Sequence, residues 1–130
     1  MYCGTDIIEV GRIKNAVENT KGFKENIYTQ NEIEDIDAIK SDMKYQRYAG
    51  RFAAKEAIYK AMSKILIQNN VNMDFLDLEI LNVKELSRRP KVVFLKKEIL
   101  ELVEKENIQV DISISHIETT AIANAIVSFS

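Results

Sequence analysis

GRFAAKEAIYKA, residues 50–61, is the stretch that decides the fold. Alanines and straight-chain charged residues follow Gly50 with no proline among them, so the segment reads as the middle of a helix. At 100° per residue, Ala49, Ala53, Ala57 and Ala61 stand in one i, i+4 column. A column of small side chains lets another backbone come close. Glu56 and Lys60 lie beside it, four apart, with the glutamate N-terminal. That order suits a helical ion pair. It equally suits an acid that holds a metal beside a base that holds a phosphate.

Working outward, the helix is expected to start near residues 43–46 and to run past Ile65. Gly50 costs it about 1 kcal/mol relative to alanine, which marks a bend or a close contact. Residues 2–8 read as a strand with Asp6 as its odd polar member. A carboxylate in an apolar run must reach solvent, cap the next helix or be paired, because burying it alone is costly. Helical spacing follows at Ile13, Ala16 and Val17 and ends near residues 19–22, with Arg12 and Lys14 exposed. A turn of helix at Phe23 and Ile27 precedes TQNE, residues 29–32, which has the form of a capping box with Thr29 as N-cap. Ile33, Ile36 and Ile39 face inward in the helix it opens.

Downstream, Leu76, Leu78 and Ile80 alternate with Asp77 and Glu79 as a half-buried strand. Arg88-Arg89-Pro90 reads as a turn, residues 91–94 as a short strand, and Leu95, Ile99, Leu102 and Val103 as an amphipathic helix. Residues 109–116 and 121–129 alternate as two strands of a hairpin. The order β-α-α-α-β-β-α-β-β predicts an α+β fold, a mostly antiparallel sheet packed against a long central helix, in one domain spanning 1–130.

Composition narrows the function. Cys3 is the only cysteine, so neither an internal disulfide nor a cysteine metal cage is available. No apolar run approaches the roughly 20 residues of a membrane span, and the N-terminus lacks the layout of a signal peptide. A cytoplasmic protein is the expectation. The net charge of −2 conceals a pattern. Residues 44–64 carry six basic side chains (Lys44, Arg47, Arg51, Lys55, Lys60, Lys64) against Glu56 alone, and acidic segments lie on either side. Such an island is either a solvated helix face or a site for a polyanion. Phosphate-loop and dinucleotide glycine patterns are absent, and a lone histidine with no second ligand makes no zinc site. Ser115 and His116 are strand neighbours pointing to opposite faces, which is poor geometry for a dyad. If the central helix packs across the sheet, Asp6 and Glu56 converge. Two carboxylates with open positions suit magnesium, and Lys60, Arg51 and Lys55 would supply the matching cations for a phosphate substrate.

GTDIIEVGRI at residues 4–13, FAAKEAIYKA at 52–61 and SISHIETTAIANAIV at 113–127 resemble, in order and spacing, the holo-acyl-carrier-protein synthases. These are the small bacterial 4′-phosphopantetheinyl transferases. The resemblance implies transfer of phosphopantetheine from coenzyme A to a serine of apo acyl carrier protein, with magnesium as cofactor and adenosine 3′,5′-bisphosphate as the second product, in support of fatty acid biosynthesis. It further implies Asp6 and Glu56 as metal ligands and Lys60 at the pyrophosphate. Arg51 and His116 would stand at the 3′-phosphate and adenosine end, Lys55 would be a further cation, and Arg12 would dock the carrier protein. A homotrimer with sites between subunits is implied as well. The general base stays open between Glu56 acting through water and a metal-bound water. Met62-Ser63-Lys64 stands where the family has a glycine-rich turn, with Ser63 and Lys64 as candidate replacements. Arg88-Arg89-Pro90 stands in place of its G-x-P turn. The rival reading is a nucleotide or RNA module, with Tyr45, Tyr48 and Phe52 stacking bases among Arg47, Arg51 and Lys55.

Overall fold

A computed structural model describes residues 1–83 and 89–130 of the chain. Its axis is helix α4, Met43–Gln68, about 39 Å long at 1.5 Å per residue. The alanine column Ala49, Ala53, Ala57 and Ala61 is buried throughout. Strand β1 (Tyr2–Glu9) lies directly on it. A Cβ built on Gly4 would fall 2.1 Å from the Ala57 carbonyl oxygen and 2.8 Å from the Ala61 amide nitrogen. Strand β5 (Thr120–Phe129) meets the same helix with its own buried row, Ala121, Ala123 and Ala125. Small residues on both partners bring backbone onto backbone. Gly50 is likewise a close contact, since a Cβ there would meet Ile114 Cγ2 at 3.0 Å; the helix runs on through it.

Strand β1 pairs antiparallel with β5, and β5 pairs antiparallel with β4 (Ile108–His116), giving the order β1-β5-β4. Asp6 stands opposite Ala123, two positions from Gly4, and therefore on the strand face that meets α4. The β4–β5 turn closes with the Ile117 amide donating to the Thr120 carbonyl at 2.8 Å.

Helices α1 (Val10–Asn19), α2 (Phe23–Ile27) and α3 (Gln30–Asp37) lie between β1 and α4. They bury Val10, Ile13, Ile27, Tyr28 and Ile36 with Tyr45 and Tyr48 in a second core. Four helices, rather than the three written into the expected order, separate β1 from β2, because the turn at Phe23 is a helix in its own right. The capping box forms as read. Glu32 N donates to Thr29 Oγ1, and Thr29 N donates to Glu32 Oε1 at 2.9 Å.

Strands β2 (Leu78–Val83) and β3 (Arg89–Phe94) make a separate antiparallel pair. Here three expectations change. Residues Phe75–Asp77 form a 3-10 turn with Leu76 exposed, because the Asp77 carboxylate accepts from Asp74 N at 2.7 Å and curls the chain before the strand begins. Glu79, expected on the outer face, is buried. Arg89 and Pro90, expected in a turn, open β3 instead; Arg88 lies outside the described residues. Helix α5 (Lys97–Lys105) buries Ile99 and Leu102 against the main core, while Leu95 stays exposed ahead of it.

Candidate active site

Because β1 lies along the alanine column, Asp6 is carried to the side of α4 that shows Glu56 and Lys60. Lys60 Nζ donates to the Thr5 carbonyl at 2.8 Å and to Asp6 Oδ1 at 3.2 Å. These bonds use two of its three donors and leave the side chain 50% exposed. Glu56 is near enough to feel both partners. Burial first, and then the Asp6 charge, raise its pKa above the usual glutamate value, against an opposing pull from Lys60. Two carboxylates that repel one another beside one half-satisfied ammonium make an arrangement that a divalent cation would relieve. Among the described residues no third histidine, cysteine, aspartate or glutamate joins them. Glu56 also lines a cavity of about 240 Å³ with Lys55, Tyr59, Met73, Asp74, Phe75 and Leu78.

A second cavity, about 160 Å³, is lined by Arg47, Gly50, Arg51, Asn82, Pro90, Ile114 and His116. It brings together Arg51 and His116, the groups expected at the nucleotide end, and among the described residues no carboxylate lines it. Arg51 is buried, and its Nη2 donates to Asp35 Oδ2 at 2.7 Å. His116 Nδ1 donates to Gln46 Oε1 at 2.7 Å, which leaves Nε2 as the acceptor of the neutral ring. Burial, and then the Arg47 charge, hold the His116 pKa below its ordinary value. Arg47 is a lining cation missing from the expected site, and its signal was its i, i+4 spacing from Arg51. Within one chain the Glu56 cavity and the Arg51–His116 cavity share no lining residue among the described residues. Arg12 is exposed on α1 and lines neither.

Lys55 is placed differently from the expectation. Its ammonium points inward and donates to Ile27 O at 2.8 Å, Glu32 Oε1 at 2.7 Å and Phe75 O at 2.8 Å. All three donors are spent, so it has none for a phosphate. Burial lowers its pKa even against the pull of Glu32.

The base-stacking rival loses its platform for the same reason of burial. Tyr45 and Tyr48 are core residues, and Phe52 stacks between Phe23 and Phe75. At the departure from the glycine-rich turn, α4 continues unbroken and Met62 is buried in the main core. The Ser63 hydroxyl donates to the Lys60 carbonyl at 2.9 Å, and Lys64 sits over the Tyr2 ring.

Residues 2–123 match the family described as the 4′-phosphopantetheinyl transferase superfamily. A holo-(acyl-carrier-protein) synthase of Fusobacterium nucleatum is 43% identical over 124 residues, 95% of each chain. One from Ruminiclostridium cellulolyticum is 42% identical over 131 residues, covering 98% of this chain and 92% of the relative. Among solved structures, the holo-(acyl-carrier-protein) synthase of Bacillus anthracis in complex with CoA (3′,5′-ADP) superposes with a TM-score of 0.75 at 29% identity. That match covers 99% of this chain and 96% of the other.

Proposed function

This chain belongs to the 4′-phosphopantetheinyl transferase superfamily, and from that membership we infer that it is a holo-acyl-carrier-protein synthase. It transfers the 4′-phosphopantetheine of coenzyme A to a serine of apo acyl carrier protein, releasing adenosine 3′,5′-bisphosphate, in support of fatty acid biosynthesis. The observation that carries the reading is the meeting of Asp6, Glu56 and Lys60 where β1 crosses α4.

In the reaction, the serine hydroxyl oxygen bonds to the β-phosphorus of coenzyme A as the bond from that phosphorus to the bridging oxygen breaks. Lys60 turns its remaining donor to the pyrophosphate and stabilises charge as it grows on the departing oxygens. Glu56 faces the cavity and takes the serine proton through an intervening water. Asp6 holds Lys60 in reach through the 3.2 Å contact. Asp6 and Glu56 fit magnesium as its protein ligands, being hard oxygen donors too few to fill its coordination sphere. When bound, the ion would supply positive charge at the phosphates and relieve the Asp6 repulsion that, after burial, raises the Glu56 pKa. Arg51 and His116 serve the 3′-phosphate and adenosine end, and exposed Arg12 serves the acidic carrier protein.

The protein is proposed to act as a cytoplasmic homotrimer with sites between subunits. The support is twofold. The carboxylate cluster and the Arg51–His116 cavity are separate within one chain. The sheet face turned away from α4 also leaves Ile7 64% and Ile126 47% exposed beside Cys3, an apolar surface that another copy would cover. No helix among the described residues is long and apolar enough to cross a membrane.

The test is mass spectrometry of apo acyl carrier protein after incubation with this protein, coenzyme A and magnesium. A phosphopantetheine mass gain is expected from the wild type and none from Glu56→Ala. No gain with the wild type, with a working control enzyme, overturns the function. A folded Glu56→Ala protein working at the wild-type rate overturns the metal assignment.

A further inference from the structure

We infer that Lys55 and Glu32 are positioning residues for the transfer reaction, a buried clamp that holds the two walls of the Glu56 cavity together. The inference rests on the function proposed above. One wall is α4, which contributes Lys55, Glu56 and Tyr59; the other is the segment before β2, which contributes Met73, Asp74 and Phe75, with Leu78 beside it. Lys55 is bonded across that gap to the Phe75 carbonyl at 2.8 Å and sideways to the carbonyl that ends α2, Ile27 O. Glu32 completes the bridge. Its Oε1 accepts from Lys55 and from the Thr29 amide, and its Oε2 accepts from Ile80 N of β2 at 3.0 Å. A second buried carboxylate, Glu79, accepts from Thr29 Oγ1 at 2.7 Å and fixes the same corner. The side chains of Lys55 and Glu32 are 1% and 0% exposed, all three Lys55 donors are used and both Glu32 oxygens accept.

A buried ion pair is a poor way to gain stability, because well-packed apolar residues do as well once desolvation is counted. It is a good way to fix distance and direction, since it tolerates little displacement. Lys55 immediately precedes Glu56, so the rotation of α4 that satisfies Lys55 sets the direction in which Glu56 leaves the helix. The pair thus acts through Glu56 and touches no substrate.

The decisive variant is the double replacement Lys55→Met with Glu32→Leu, which removes the pair without leaving an orphan charge between them. It is expected to fold, with kcat reduced by about tenfold or more and KM for coenzyme A within about twofold of wild type. The singles Lys55→Met and Glu32→Gln are expected to lose kcat to a similar extent and non-additively with each other. A raised KM for coenzyme A in Lys55→Met, with Glu32→Gln silent, would make Lys55 a phosphate contact and overturn the clamp. Unchanged kcat in the folded double variant overturns it too. Hydrogen exchange provides a readout independent of turnover. The variants should lose protection at the amides of residues 75–80 while the β1-β5-β4 sheet keeps its own. If the wild type proves to have no transferase activity, the proposed function fails, and exchange alone then decides the clamp: local loss supports it, and uniform or absent change refutes it.

Discussion

Gly4→Ala is a small perturbation with a large expected consequence. Its new methyl would stand 2.1 Å from Ala57 O, 2.8 Å from Ala61 N and 3.0 Å from Lys60 Cβ. Two of these obstacles are helix backbone, which cannot turn aside as a flexible side chain can. Restoring the first contact from 2.1 Å to the 3.4 Å of an ordinary one asks β1 and α4 to part by about 1.3 Å. Overpacking of this kind costs about 1–3 kcal/mol, and with backbone on both sides the upper end applies. For a domain of this size that is a fall of roughly 8–12 °C in Tm. The same separation carries Asp6, two residues along the strand, away from Lys60 across a gap now 3.2 Å. A misplacement near 1 Å in a site of this kind costs on the order of 100-fold in rate. Differential scanning fluorimetry reads the first effect, and the rate of carrier-protein modification by mass spectrometry reads the second. A Gly4→Ala protein that melts within about 1 °C of wild type and keeps more than about half its rate would refute the close packing and the placement of Asp6 with it.

Three further outcomes follow from single contacts. Burial and Asp6 raise the Glu56 pKa above its unfolded value, so charged Glu56 costs stability above the folded pKa, and that cost fades as pH falls through it toward the unfolded one. In metal-free buffer Glu56→Gln should therefore melt higher than wild type near neutral pH, with the gap closing toward about pH 4; a lower melting point for the variant near neutral pH would contradict the crowding of the two carboxylates. Thr29→Ala removes a helix cap and the 2.7 Å bond to buried Glu79, an expected loss of about 2–3 kcal/mol in urea denaturation. A loss below about 0.5 kcal/mol would show the corner to be loosely held. Arg12→Glu should raise KM for the carrier protein by about tenfold and leave KM for coenzyme A alone; equal effects on both would remove Arg12 from the docking face.

What could be read from the sequence, and what could not, divides by the range over which each residue's partners lie. The alanine column was legible because helical period alone aligns Ala49, Ala53, Ala57 and Ala61, and any such column invites a close neighbour. Gly4 then supplies the neighbour, with no side chain to hold it off. The capping box was legible for the same reason, its partners being three residues apart. Glu32 was only half legible. As a cap it faces Thr29, but its second oxygen answers to Ile80, 48 residues away, and its first also to Lys55, so a residue read only as half of a capping box is, among the described residues, a fully buried carboxylate. Formal charge misled in a related way at residues 44–64. Summing it makes one cationic island, yet Lys55 is consumed internally, Arg51 is buried against Asp35, and Lys60 stays half exposed beside Asp6. A charge count records how many cations a segment holds and is blind to their direction, which for consecutive residues on a helix differs by 100°. That is why Lys55 and Glu56, adjacent in sequence and both set down as site residues, separate into one whose ammonium is taken up by internal acceptors and one whose carboxylate stays open to the cavity they both line. The motif marked the right turn of helix, and only the packing of α4 against its neighbours decides which of the two can reach a substrate.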